Sequence, residues 1–156
     1  KRRLFVDAGL IAPYYFGPQA AKTFFIDVKN ITAQHGWSLK YKKKGNNANY
    51  LDSSYLNMQN TNNFIADDNV ELIDSNVAPY RVIMNSTICI CLPFTSPAVT
   101  AKEMGKPTIY YDPIGTLSSI CPVMHGIDVI SGQRELGLWF TSTSTALLSQ
   151  NMCHTN

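Results

Sequence analysis

Thr95 and Ser96 are adjacent hydroxyls in the stretch LPFTSPAVTAKEMGKPTIYYDP, residues 92–113, and Pro97 follows them at once. An apolar run, a Thr-Ser-Pro step, a short run of helix formers and then Gly105-Lys106-Pro107 predict strand, helix and stop. Ser96 is expected at the N-cap and Pro97 at the first helical position, where its missing amide removes no intrahelical bond. The free backbone amides and positive end of such a helix can receive a phosphate, with the Thr95 and Ser96 hydroxyls beside it. Ordinary capping explains the same residues without a ligand, so both readings stand at this level.

Lys40 and Lys42 form the second set. Strand periodicity sends them to one side, at an end where a crevice between strand and helix gathers diphosphate charge. The competing reading is a wet sheet edge whose lysines guard against further strand pairing. Lys43 and Lys44 are expected to act as peripheral steering charges. Glu103 lies seven positions after Ser96, approximately along the same helix face, where it could hold sugar hydroxyls or pair with Lys106 at the surface. Asp112 ends TIYYDP, and the carboxyl ends of parallel strands open onto the usual ligand crevice. The same carboxylate could cap the turn made by Pro113. His125 lies in a loop without an identifiable carboxylate partner, which is weak support for a general base. His35 fits the end of a helix, where it meets the dipole, and His154 belongs to a polar tail.

These groups need a frame that brings strand ends together. A strand is expected over Leu4–Ala8, followed by the irregular GLIAPYYFGP. A helix is expected next, with Ala21, Phe24, Phe25, Val28 and Ile31 at helical spacing and Gly36 as its cap. Trp37, Leu39 and Tyr41 alternate with Ser38, Lys40 and Lys42, predicting a strand with one covered face. Residues 45–64 are rich in Asn and read as a long loop. NVELID, TICICL, PTIYYDP and IDVI predict strands, VAPYRVIMNS and QRELGLWF predict helices, and GTLSSICPVMHG reads as a loop. This alternation predicts an α/β fold: three layers, Rossmann-like, with a mainly parallel sheet covered on both faces. Residues 1–150 are expected to form one domain and 151–156 a polar tail.

The bulk numbers agree with a folded body. The chain has 156 residues, 45% hydrophobic and 15% charged, and a formal charge of +2, too small to imply nucleic acid. Cys89, Cys91, Cys121 and Cys153 match no usual zinc spacing, and buried thiols in a reduced cytoplasm are the plain reading ahead of a disulfide or a metal. No apolar run is long enough to cross a bilayer, which leaves peripheral contact with a membrane face open. The start of the chain, without Met and almost directly in a strand, suggests part of a longer polypeptide.

FFIDVKNITAQHGWSLKYKKK, the segment from ELID to YYDP and the closing GIDVISGQRELGLWF resemble the nucleotide-sugar-binding half of GT-B glycosyltransferases, especially those that build bacterial surface polysaccharides. The similarity extends over about residues 20–140, and its most specific part is 92–113. The resemblance implies a C-terminal GT-B domain that binds a nucleotide-diphosphate sugar, needs no cofactor or metal, and works with an upstream domain that binds a glycan acceptor. It implies diphosphate contacts from Thr95, Ser96 and a lysine of the Lys40–Lys42 strand. The family commonly has an acid for the ribose where this chain has Thr100, with Glu103 later, and a glycine-rich approach where this chain has Pro93 and Phe94.

Donor binding at the inner membrane face or in the cytoplasm, with sugar transfer dependent on the acceptor domain, is therefore the leading expectation. An interaction or scaffold domain that has kept the fold without the ligand is the second. A nucleotide-sugar epimerase or hydrolase, drawing on Asp112 and His125, is the third.

Overall fold

The structure, a computed structural model, describes residues 3–7, 18–42, 68–74 and 76–153. The expectations for GLIAPYYFGP, for the Asn-rich stretch, and for Lys43, Lys44 and His154 fall mainly or wholly outside these residues. In chain order the elements are β1 (Arg3–Asp7), α1 (Pro18–Gln34), β2 (Ser38–Lys42), β3 (Val70–Ile73), α2 (Pro79–Met84) and β4 (Ile88–Cys91). They continue with α3 (Ser96–Glu103), β5 (Thr108–Asp112), α4 (Thr116–Ile120), β6 (Val123–Met124), β7 (Ile127–Ser131) and α5 (Gln133–Cys153).

The strands form one seven-stranded sheet in the order β3-β2-β1-β4-β5-β7-β6. Every neighbouring pair is parallel except β6 with β7. The chain winds outward from β1 to β3, returns to β4 beside β1, and then winds the other way. That reversal puts helices on opposite faces. On one face Phe24, Val28 and Ile31 of α1 and Leu136 and Phe140 of α5 meet Leu39, Ile88, Ile90, Ile109 and Tyr111. On the other, Val82 and Ile83 of α2 and Ala98 and Ala101 of α3 cover Cys89, Cys91 and Tyr110. The result is an alternating α/β architecture of general Rossmann-like form.

Local chemistry explains where the elements stop. Helix α1 ends before Gly36, which takes φ +66°, a left-handed conformation at low cost only for glycine. The Trp37 amide then closes back onto the Thr32 carbonyl at 2.9 Å. Two readings from the sequence need correction. GTLSSICPVMHG is more than a loop: it holds α4 and β6, too short for their periodicity to register in the sequence. Its closing turn is made by His125 and Gly126, with φ of 53° and 68°, the two positive values of a type I′ hairpin. Helix α5 continues well past Phe140 to Cys153, because Leu136, Phe140 and Ser144 repeat every four residues and stay buried.

Candidate functional site

The reversal of winding lies between β1 and β4, and the carboxyl ends of these strands flank the position where open α/β sheets bind ligands. In register, Asp7 at the end of β1 sits between Lys42 at the end of β2 and Cys91 at the end of β4. Five residues beyond Cys91 the chain enters α3. Lys42 and the start of α3 therefore share one edge of the sheet.

The lysine strand is not wet. Strand β2 lies inside the sheet, between β3 and β1, and both Lys40 and Lys42 are only 6% exposed. Leu39 enters the core under α1, and Tyr41 meets the ring of Phe25 at 4.9 Å. Strand alternation puts Lys40 and Lys42 on the opposite face. Edge protection is thus ruled out as their role, because β3 occupies the place where an edge was expected. Lys40 Nζ lies 3.8 Å from Glu71 of β3, one row inward from the strand end, whereas Lys42 is the last residue of β2.

The turn into α3 differs by one residue from the sequence reading. Thr95 is the N-cap position, Ser96 is the first helical residue, and Pro97 is the second. The buried Thr95 hydroxyl donates to the Leu92 carbonyl at 2.8 Å and so makes no cap bond to the helix. Ser96 is exposed. Thr100 donates back to the Ser96 carbonyl at 3.4 Å, and Glu103 is exposed on the last turn, about 10 Å along the axis from the helix start. Glu103 therefore does not join the hydroxyls, and Lys106 donates to the Met84 carbonyl at 3.3 Å. Pro93 is buried, while Phe94 takes φ +68° and is 37% exposed. Proline followed by a positive φ is the signature of a type II turn, whose third position normally holds glycine. A non-glycine residue there costs on the order of 1 kcal/mol or more.

A family model described as polysaccharide biosynthesis PFTS motif protein matches residues 1–140. The chain belongs to this family. The four letters of the PFTS motif read off the chain at Pro93-Phe94-Thr95-Ser96, the turn between β4 and α3. Pro93 and Phe94, which depart from the glycine-rich approach of GT-B enzymes, thus spell half of the motif that gives the family its name. No match was found among curated proteins or among solved structures.

The PFTS turn is braced from β5. The Tyr110 hydroxyl donates to the Thr95 carbonyl at 3.2 Å, which also accepts the Ala98 amide at 3.3 Å. Tyr110 is fully buried, and burial, followed by the nearby Cys91, pushes its phenol up to about 12. Because the folded value lies above the ordinary value near 10, the stabilising effect of the neutral phenol is intact below pH 10 and is lost as pH rises toward 12. Unfolding free energies from urea titration are therefore expected to hold steady through pH 9 and then fall, by up to about 1.4 kcal/mol per pH unit for this group. Tyr110→Phe should flatten part of that fall; an unchanged slope would reject the assignment.

Asp112 and His125 do not form a catalytic pair. Asp112 is fully buried at the end of β5, where Oδ1 accepts the Ile114 amide at 3.1 Å. Its Oδ2 accepts the Leu117 and Ser118 amides at 2.7 and 3.1 Å. The carboxylate caps α4 and builds the loop leading to it. His125 lies in the turn before β7, at that strand's amino end, with Nδ1 3.4 Å from the Tyr110 hydroxyl. Lys102 of α3 fixes this turn by donating to the carbonyls of His125 and Gly126 at 3.0 and 2.6 Å.

Sequence reasoning missed Asp27 altogether. It is a buried acid on α1 that accepts the Tyr111 hydroxyl at 2.6 Å and the Gln133 amide at 2.7 Å. Its position three after Phe24 and four before Ile31, on the helix face that packs on the sheet, was the available signal. Farther along the carboxyl edge, at the end of β3, Asp74, Asn76, Val77, Ala78 and Arg81 line an open hollow of about 470 Å³. Among the described residues no cluster of His, Cys, Asp or Glu could hold a metal, and no helix is long and apolar enough to cross a membrane.

Proposed function

We propose that the chain is the donor-binding domain of a GT-B-type glycosyltransferase in polysaccharide assembly, and that the nucleotide sugar lies across the carboxyl edge with its diphosphate between Lys42 and the start of α3. What supports this reading is one juxtaposition: a basic strand end and a helix start that flank the reversal of winding from opposite sides. Residues 1–150 would then act as one nucleotide-sugar-binding unit.

The chemistry follows from the charge that must be met. Breaking the bond between sugar and diphosphate leaves negative charge on the departing oxygen. The first-turn amides of α3, its positive end and the Lys42 ammonium supply fixed positive potential there without a metal. The Ser96 hydroxyl adds a donor. The base that deprotonates the acceptor alcohol comes from an upstream acceptor domain, since Asp112 is committed to backbone amides and the His125 ring, 3.4 Å from the Tyr110 hydroxyl, has no carboxylate partner among the described residues. An epimerase or hydrolase would need a local acid or base, and the Asp112 carboxylate is held by three backbone amides.

A scaffold role is the second reading, favoured by the internal commitment of the Thr95 and Thr100 hydroxyls. Calorimetric titration with UDP, GDP, CDP and their sugar esters separates the two. Donor binding predicts a saturable site that Ser96→Ala combined with Lys42→Ala weakens at least about tenfold while the fold, read by circular dichroism, is kept. No heat across the panel from the folded wild-type chain would leave the scaffold reading.

A further inference from the structure

We infer that His125 is a positioning residue for the PFTS turn: its ring acts through the Tyr110 hydroxyl on the Thr95 carbonyl, and its protonation sets how firmly that carbonyl is held. The consequence for diphosphate affinity rests on the donor-binding reading above; the consequence for the turn does not. Two partners meet at one phenol. The Tyr110 hydroxyl lies 3.2 Å from the Thr95 carbonyl and 3.4 Å from His125 Nδ1, and a phenol has a single proton to donate. A bare Nδ1 competes with Thr95 for it. A protonated Nδ1 instead donates to the phenol oxygen and leaves the phenol proton to the carbonyl. An imidazolium always carries that N–H, whereas a neutral ring has its one proton on either nitrogen. The hold on Thr95 is therefore complete in the charged form and divided in the neutral one.

The Thr95 carbonyl belongs to the same planar peptide as the Ser96 amide, so whatever orients one orients the other, a first-turn donor of α3. The frame around the ring keeps it in reach. Lys102, on the last turn of α3, donates to the carbonyls of His125 and Gly126. Contacts thus run from the PFTS turn along α3 to the hairpin, and return through His125 and Tyr110 to Thr95. Few titratable groups face the ring. Tyr110 comes from β5, Cys91 of β4 adjoins the phenol, and the Lys102 ammonium comes from α3. Glu103, the next residue in that helix, projects about 100° around the axis from Lys102. Asp128 points to the other face of β7, since Ile127 and Val129 pack on the α3 side. Cys121, ahead of β6, donates to the Val123 carbonyl. The ring is exposed, so solvent supplies and removes its proton, and histidine is the side chain that makes this exchange between pH 5 and 8.

NMR shifts of the isotope-labelled full chain, followed from about pH 5 to about pH 8, read the turn directly. The Thr95 carbonyl and the Ser96 and Ala98 amides should titrate with the His125 ring at one shared midpoint. Tyr110→Phe should silence the turn while the ring goes on titrating, which a charge acting through space would not allow. His125→Asn keeps the fold, because Asn-Gly is the preferred pair for a type I′ turn, and its side-chain amide does not titrate. In that variant the turn should show no pH response. Calorimetry with UDP and GDP gives the second readout, and the ratio of Kd between wild type and His125→Asn cancels the titration of the nucleotide itself. From about pH 5.5 to about pH 8 the wild-type Kd should rise about threefold relative to the variant, the share of one hydrogen bond. A turn that stays still while His125 titrates, or that still responds in Tyr110→Phe, would overturn the inference. So would a flat Kd ratio in a chain that binds UDP or GDP, with donor binding left standing. A wild-type chain that binds neither nucleotide would overturn the donor reading and the affinity consequence together, and the shared midpoint would then decide the positioning role alone.

Discussion

Replacing Asp112 by alanine is expected to lower the unfolding free energy by about 3–5 kcal/mol, because one fully buried carboxylate accepts three backbone amides at the mouth of α4. Each amide left without a partner in the interior costs roughly 1–3 kcal/mol, and water can reach only part of the site. Helix α4 spans five residues, too few to form on intrinsic propensity, so its existence depends on this cap. Asp112→Asn keeps one acceptor oxygen but turns an amide group toward donors, and should fall between alanine and wild type. Urea unfolding at constant slope gives the comparison. A loss under about 1 kcal/mol for the alanine variant would mean that solvent replaces all three bonds, and would free Asp112 for another role.

Tyr111→Phe should cost about 2–4 kcal/mol, since it strips Asp27 of its shorter bond and leaves a buried carboxylate with only Gln133. The cluster joins α1, β5 and the start of α5, so the loss loosens one whole face of the sheet. Replacing both partners, Asp27→Leu with Tyr111→Phe, removes the uncompensated charge. It should therefore cost less than the sum of the single changes by at least about 1 kcal/mol. Strict additivity in chemical denaturation would show that the hydroxyl and carboxylate do not depend on each other. The Tyr111 phenol is also held well above the ordinary tyrosine range by burial, then by its bond to Asp27 and the charges of Asp27 and Asp112.

Much of the fold was legible because each main element carries its own punctuation. Gly36 stops α1, Pro97 and Gly105 bracket α3, and apolar runs such as TICICL mark buried parallel strands, where alternation is not required. The burial of Lys40 and Lys42 was not legible. Alternation within β2 gives their common side, but only β3, joined nearly thirty residues later, converts that strand from an edge to an interior member. The site shows the same division. Thr95, Ser96 and Asp112 could be singled out from neighbours in sequence, yet the partners that occupy Thr95 and Asp112 depend on how the turn closes. Phe94 read as a departure from a glycine-rich pattern, because its left-handed backbone emerges only with the turn. Asp27 was hidden by distance, since Tyr111 and Gln133 are its neighbours only in the folded chain.

The place of β1 in the sheet bears on how the protein is made. Leu4 lies beside Leu39 on one side and Ile88 on the other, so the earliest synthesised of these seven strands is the one that joins the two halves of the sheet. Its second partner is synthesised much later, and closing so long an intervening loop is slow compared with forming α1. During that interval the half-built sheet, β3-β2-β1, leaves along β1 the unpaired backbone edge that β4 will cover. The nascent chain is thus most open to misassociation before TICICL emerges, and folding becomes cooperative only when that segment docks.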